Sequence, residues 1–311
     1  IPLYILAFLS GNYMARAVFG VPVLLVFVGF FGWTVARTSK LRLGLPHLAI
    51  LAAMLTLVLG GIIGVSLQFQ FALSRQFLPN GAYLAHPAMM VAGYLTLIGM
   101  ALSEQSLIPR TSNLSIWGLL QILLLFLAGL VLGIGVLLDL RPLFGLNLLF
   151  NVGGVVVYSV RLAPRMLCFN WLGQNSSRFF AISALFVVFD IVLVTYLVAG
   201  VITGLYPNGN CPKNLLTALD HTVFVGVMTN ALFGLIREAT AERRSLWPWA
   251  DHVLFWGMNI GVIGFIVCLI VDIRVLERVF TPIMGVSILL GLLAYALRMR
   301  RAPIKETVIS T

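Results

Sequence analysis

Four histidines carry the clearest chemistry in the sequence: His47, His86, His221 and His252. Each falls within the first few residues of a long apolar run, in "LPHLAILAAM", "LAHPAMMVAG", "LDHTVFVGVM" and "ADHVLFWGMN". A neutral imidazole presents one ring nitrogen with a lone pair, which makes histidine the commonest metal ligand. Two such rings on facing helices are what a low-spin b-type haem needs, one nitrogen above the iron and one below. A single histidine at a helix start is otherwise a capping or solvated residue, and that bland alternative stands beside the ligand reading.

Positioning these rings falls to membrane helices. Only 10% of the 311 residues are charged and 60% are apolar. Apolar runs of about 20 residues recur throughout, each long enough to cross a hydrocarbon core of roughly 30 Å at 1.5 Å per residue. The pattern predicts an all-α transmembrane bundle with spans at 17–36, 45–68, 84–103, 115–138, 143–160, 178–204, 216–236, 250–271 and 279–297. These make nine, and "IPLYILAFLS" reads as the remnant of a tenth, in a chain that opens on Ile1 rather than Met. Short loops join the spans, so residues 1–301 are expected to form a single bundle and 302–311 a cytoplasmic tail.

Basic residues accumulate on the cytoplasmic side. Alternate loops hold 14 and 6 of the Lys and Arg residues, with Lys40, Arg42, Arg110, Arg178, Arg237, Arg244, Arg298 and Lys305 in the richer set. That set is expected to face the cytoplasm of a bacterial or archaeal cell. The net charge of +10 is then largely a topology signal, and no basic domain is left to bind nucleic acid. Cys168, Cys211 and Cys268 are too few and too scattered for a disulfide framework or a zinc site.

This topology sorts the histidines into an outer pair, His86 with His221, and an inner pair, His47 with His252. Gly93 lies two turns after His86, where a ring edge would find room, and Met89 and Met90 offer soft packing. Gly226 and Met228 stand comparably after His221. Haem propionates want cations at the water boundary, for which Arg75 and Arg141 are the outer candidates and Arg42 and Arg244 the inner ones. Tyr94, Phe255 and Trp256 are aromatics available to line a slot. Asp251, next to His252, equally suits a simple helix cap. The runs Gly60, Gly61, Gly64 and Gly129, Gly133, Gly135 suit close helix approach, or room for a flat cofactor. Asp190, midway along its span, is a carboxylate at bilayer depth and a candidate for proton relay, quinol binding or pairing with Asn151, Asn230 or Asn259.

The stretch "AHPAMMVAGYLTLIGMALSE" resembles the haem-ligand helix of the haem-copper oxidase subunit I superfamily, including nitric oxide reductase-like and NnrS-like proteins. "DHVLFWGMNIGVIGF" is similar to the Phe-Trp-rich helices near the end of those chains. The resemblance implies a helical bundle with haem b and ligand roles for His86 and His221. It stops at the copper site, which in that family needs adjacent or near-adjacent histidines, and no His-His or His-x-His occurs here. The expectation is therefore a haem b-binding membrane subunit of a respiratory electron-transfer complex, holding one haem, or two if both pairs are occupied. It would lack its own haem-copper centre and work between quinol and an outer partner such as a cytochrome c, alongside other membrane subunits. The alternatives are a cofactor-free transporter and a membrane anchor subunit.

Overall fold

The computed structural model describes residues 2–38, 43–108, 114–207, 210–243 and 245–301. Among them the chain forms ten helices and no strand. These are α1 (Pro2–Leu9), α2 (Tyr13–Thr38), α3 (Leu45–Ala72), α4 (Ala82–Leu107), α5 (Ile116–Leu138), α6 (Arg141–Leu167), α7 (Ser177–Ile202), α8 (Lys213–Ala239), α9 (Ala250–Val271) and α10 (Arg274–Met299). Nine of the described helices, α2 to α10, are long and apolar enough to cross a membrane. Each of the nine expected spans finds its helix, most of them running a few residues longer at one or both ends. "IPLYILAFLS" is a short helix of its own, ended by Gly11 at φ +72°. Lys40, Arg42, Arg110, Arg244, Lys305 and the 302–311 tail lie outside the described residues.

The chain divides into two compact units, residues 1–164 with 188–210 and residues 165–187 with 211–311. Helix α7 lends its first half to the second unit and its second half to the first. In the first unit α3, α4 and α5 pack through small residues. A Cβ on Gly129 would stand 2.6 Å from the Gly93 Cα, and one on Gly133 would stand 2.4 Å from Met89. Such bare positions let backbones approach where lipid offers no hydrophobic drive between helices. In the second unit α9 and α10 mesh in the same way, through Gly257 against Ser287 and Gly261 against Met284. Much of α2 exposes apolar side chains, Leu25, Val26, Phe30 and Trp33 among them, as a lipid-facing helix does.

One series of elements occurs twice. A helix widened internally into a π-helix, α4 or α8, is followed by a straight helix, α5 or α9, then by a tight turn on a left-handed aspartate and a further long helix, α6 or α10. The turn residues are Asp139 (φ +52°) and Asp272 (φ +57°), in the similar sequences "LLDLR" and "IVDIR". Aspartate is one of the few non-glycine residues that visits this region readily. Each turn closes on a backbone bond, Leu140 N–H to Gly135 O at 2.8 Å and Ile273 N–H to Cys268 O at 2.9 Å.

Candidate functional site

The two π-helical segments, Met89–Leu95 and Thr222–Thr229, begin directly after or close after a histidine. An extra residue per turn displaces carbonyls from the regular ladder, and π segments concentrate at functional positions for that reason. In the first unit His86 ends the preceding α-turns, half-buried. Its Nδ1 lies 2.8 Å from the Gly60 carbonyl on α3. A carbonyl only accepts, so Nδ1 carries a proton, and the ring in its neutral form keeps its lone pair on Nε2. The ring fits because residue 64 is glycine: a Cβ there would meet the His86 Cε1 at 2.7 Å.

In the second unit His221 closes the α-helical part of Lys213–His221. Its Nδ1 donates to the Thr217 carbonyl one turn back, at 2.9 Å, and its ring lies against Phe265 with centroids 4.6 Å apart. Nε2 again holds the lone pair. Fixing the ring through an Nδ1–H to a backbone carbonyl is the usual outer-shell support of a metal-ligating histidine.

His47 and His252 are used differently. His47 is exposed, and its Nδ1 accepts the Gly44 N–H at 3.3 Å, so it caps the start of α3. Its Nε2 therefore carries the proton. His252 accepts at Nδ1 from Arg178 Nη1, at 3.2 Å, and its Nε2 meets the Gln174 side-chain amide. Both of its ring nitrogens are committed within the second unit. Asp251 lies in the first turn of α9, whose cap is Trp249, and its carboxylate pairs with Arg237 instead of capping the helix.

Gly93 and Gly226 do not leave a groove. A Cβ on Gly93 would come 3.0 Å from Thr56, and one on Gly226 2.5 Å from Phe186, so neighbouring side chains already use that space. Met90 and Met89 pack on Gly60. Arg75 and Arg141 are exposed. Phe255 is buried under Arg178, with its centroid 4.5 Å from the guanidinium carbon, and Trp256 packs edge-on against it.

The residue that resumes the α-helix after each π segment is polar and paired. Thr96 Oγ1 stands 2.9 Å from the displaced Val91 carbonyl and 3.1 Å from Asp190 Oδ2 on α7, and its one hydrogen serves either. Asn230 occupies the matching place in the second unit. It exchanges amide bonds with Asn259 at 2.8 and 3.1 Å, and donates to the Gly226 carbonyl at 2.8 Å. Asn151, another suggested partner of Asp190, donates to Asn147 at 3.3 Å.

Two buried charge clusters were not singled out by the sequence. Glu104, on α4, takes Arg161 Nη1 at 2.6 Å and Gln121 Nε2 at 2.6 Å, and Arg161 also donates to the Gln121 oxygen. Arg178, Arg237 and Arg298 gather at Asp251. The sequence set Arg161, Arg237 and Arg298 just beyond the expected spans and Arg178 at the edge of one, and it is the longer helices of the fold that take them inside. Cys211, before α8, is half-buried, and burial pushes its thiol above the usual range.

The fold thus defines an integral membrane protein of the polytopic helical class. Comparison of the chain with protein-family models, curated proteins and solved structures finds no match.

Proposed function

We propose that the chain is a haem b-binding integral membrane subunit of a respiratory electron-transfer complex, passing electrons between quinol and an outer-face redox partner such as a cytochrome c. His86 and His221 are the residues that would hold its iron. One observation carries the reading: both rings are held by Nδ1–H to a backbone carbonyl, with Nε2 left as the acceptor, at or within three residues of the start of a π segment. That is the tautomer iron requires. A bound haem would supply the one-electron iron couple. The chain's own part is to fix the imidazoles, His86 through Gly60 and Gly64 and His221 through Thr217 and Phe265. In this reading His47 and His252 are left out as ligands, because an Nδ1 that accepts a hydrogen bond places the neutral ring's proton on Nε2. The testing experiment is a reduced-minus-oxidised visible spectrum with pyridine haemochrome quantitation on the purified chain. A b-type signal is expected in the native chain, and absence of haem would sink the reading.

A second reading has its own support. Widened helices followed by a buried polar pair, above all Asp190 with Thr96, are what a proton- or ion-coupled transporter places at mid-membrane. Proteoliposomes would show proton-coupled solute flux that Asp190→Asn abolishes, in a preparation free of haem. Flux unchanged in that variant would remove this reading.

A further inference from the structure

Among its described residues, the second unit gathers three buried arginines around one carboxylate. Arg178 is fully buried, and Arg237 and Arg298 keep only 12% and 10% of their side-chain surface exposed. Among the described residues, the one buried acid in this cluster is Asp251. Its Oδ2 is taken by Arg237, leaving Arg298 Nη1 at 3.8 Å, beyond hydrogen-bond range. Arg178 reaches only the Asp251 backbone carbonyl, the Gly173 carbonyl and His252 Nδ1. Carbonyls and a neutral imidazole satisfy donors but cancel no formal charge. The Phe255 ring under the Arg178 guanidinium eases its burial without neutralising it.

Three buried polar atoms here have no hydrogen-bond partner among the described residues: Arg178 Nε, Arg298 Nη1 and the Tyr295 hydroxyl. Tyr295 packs in the same buried cluster as Phe179 and Phe255, the two rings under the Arg178 guanidinium, and stands one turn before Arg298 on α10. Orphaned donors are costly singly, and three around an excess of two positive charges form a set that one multi-oxygen anion would satisfy. The first turns of α7 and α9 and the last turns of α8 and α10 adjoin this cluster, so their dipoles largely offset and the orphaned side-chain donors set the preference for an anion. Trp249 and Leu246, exposed in the adjoining segment, fit the water boundary of a bilayer, where phosphate groups are plentiful.

We propose that Arg178, Arg298 and Tyr295, with the Arg237–Asp251 pair holding them, form a binding site for a phosphate-type oxyanion. Lipid headgroups and free phosphate both supply this chemistry. Planar guanidinium groups suit its oxygens, and the Tyr295 hydroxyl donates a further bond. The site does not rest on the haem proposal.

The test uses the full chain in dodecyl maltoside micelles, which carry no phosphate, reading the unfolding midpoint by tryptophan fluorescence. One arm adds inorganic phosphate against chloride at equal ionic strength, and the other adds phosphatidylglycerol to the micelles. A raised midpoint in the lipid arm alone assigns the headgroup, and a rise with phosphate assigns the soluble anion. Arg298→Gln should cancel the rise, and Tyr295→Phe, which keeps the ring, should weaken binding about tenfold. The second variant decides the matter if the first does not fold. No rise in either arm, or a rise unchanged in the variants that fold, would overturn the proposal.

Discussion

The two copies of the series of π-helix, straight helix, aspartate turn and long helix agree at the start of the widened helix and disagree near its end. Both place a histidine held by Nδ1–H to a carbonyl shortly before the π segment, and both follow that segment with a paired polar residue. Near the end, the first copy carries Glu104, closed by Arg161 and Gln121, whereas the second carries Arg237 and leaves three arginines on one aspartate. Shared frames fix where polar groups sit, and the divergent ones decide what each copy can hold. A balanced cluster such as Glu104–Arg161 is a structural clasp. An unbalanced one invites a ligand, and an open Nε2 invites a metal.

The largest effect should come from removing the acids. Glu104→Ala leaves a buried guanidinium unpaired and should cost about 3–5 kcal/mol in chemical unfolding. Adding Arg161→Ala should recover much of that loss, because the clasp is balanced. Asp251→Ala should cost at least as much, and adding Arg237→Ala should recover little, since Arg178 and Arg298 remain. Equal recovery in both cycles would erase the contrast between the copies.

Next in size is Gly64→Ala. Its methyl would enter the His86 ring, so the Nδ1 bond to Gly60 should break at a cost of about 1–3 kcal/mol. The proposed haem signal should fall with it. An unchanged signal would mean that this locked ring position is not the ligand geometry.

The polar pairs below the π segments should separate in the same direction. Asn259→Leu strands the Asn230 amide and should cost about 1–3 kcal/mol, whereas Thr96→Val, which removes one neutral hydroxyl, should cost about 1 kcal/mol. Urea or SDS unfolding of the two variants measures the difference.

Smallest is His47→Ala. Losing an acceptor for one exposed helix-start amide should cost about 0.5 to 1 kcal/mol and leave any haem signal intact. A bleached spectrum in this variant would restore the inner pair as ligands.

The helices were legible because apolar length is written directly in the residues: 250–271 was expected and Ala250–Val271 is found. Close packing at Gly60, Gly129 and Gly133 was legible for the same reason, since small residues mark contacts. The partner of a glycine was not. Gly93 suggested an open groove, and its space belongs to Thr56, a residue 37 positions earlier. Nor does sequence distinguish the two kinds of histidine. His86 and His252 occupy the same local setting, and only the third dimension gives one a carbonyl and the other an arginine. The π segments left no periodic trace, because one extra residue per turn is invisible in an apolar run. Arg178 and Arg298 were read as topology markers, since charge excess in a cluster is a sum over helices distant in sequence.

The central claim is that His86 and His221 hold haem and that His47 and His252 do not. The most direct measurement is the reduced-minus-oxidised spectrum of four alanine variants, compared with the native chain at equal protein concentration. The account predicts that His86→Ala and His221→Ala each lose b-type absorbance while His47→Ala and His252→Ala keep it. A native chain without haem, or a signal lost only in the latter two variants, would contradict it.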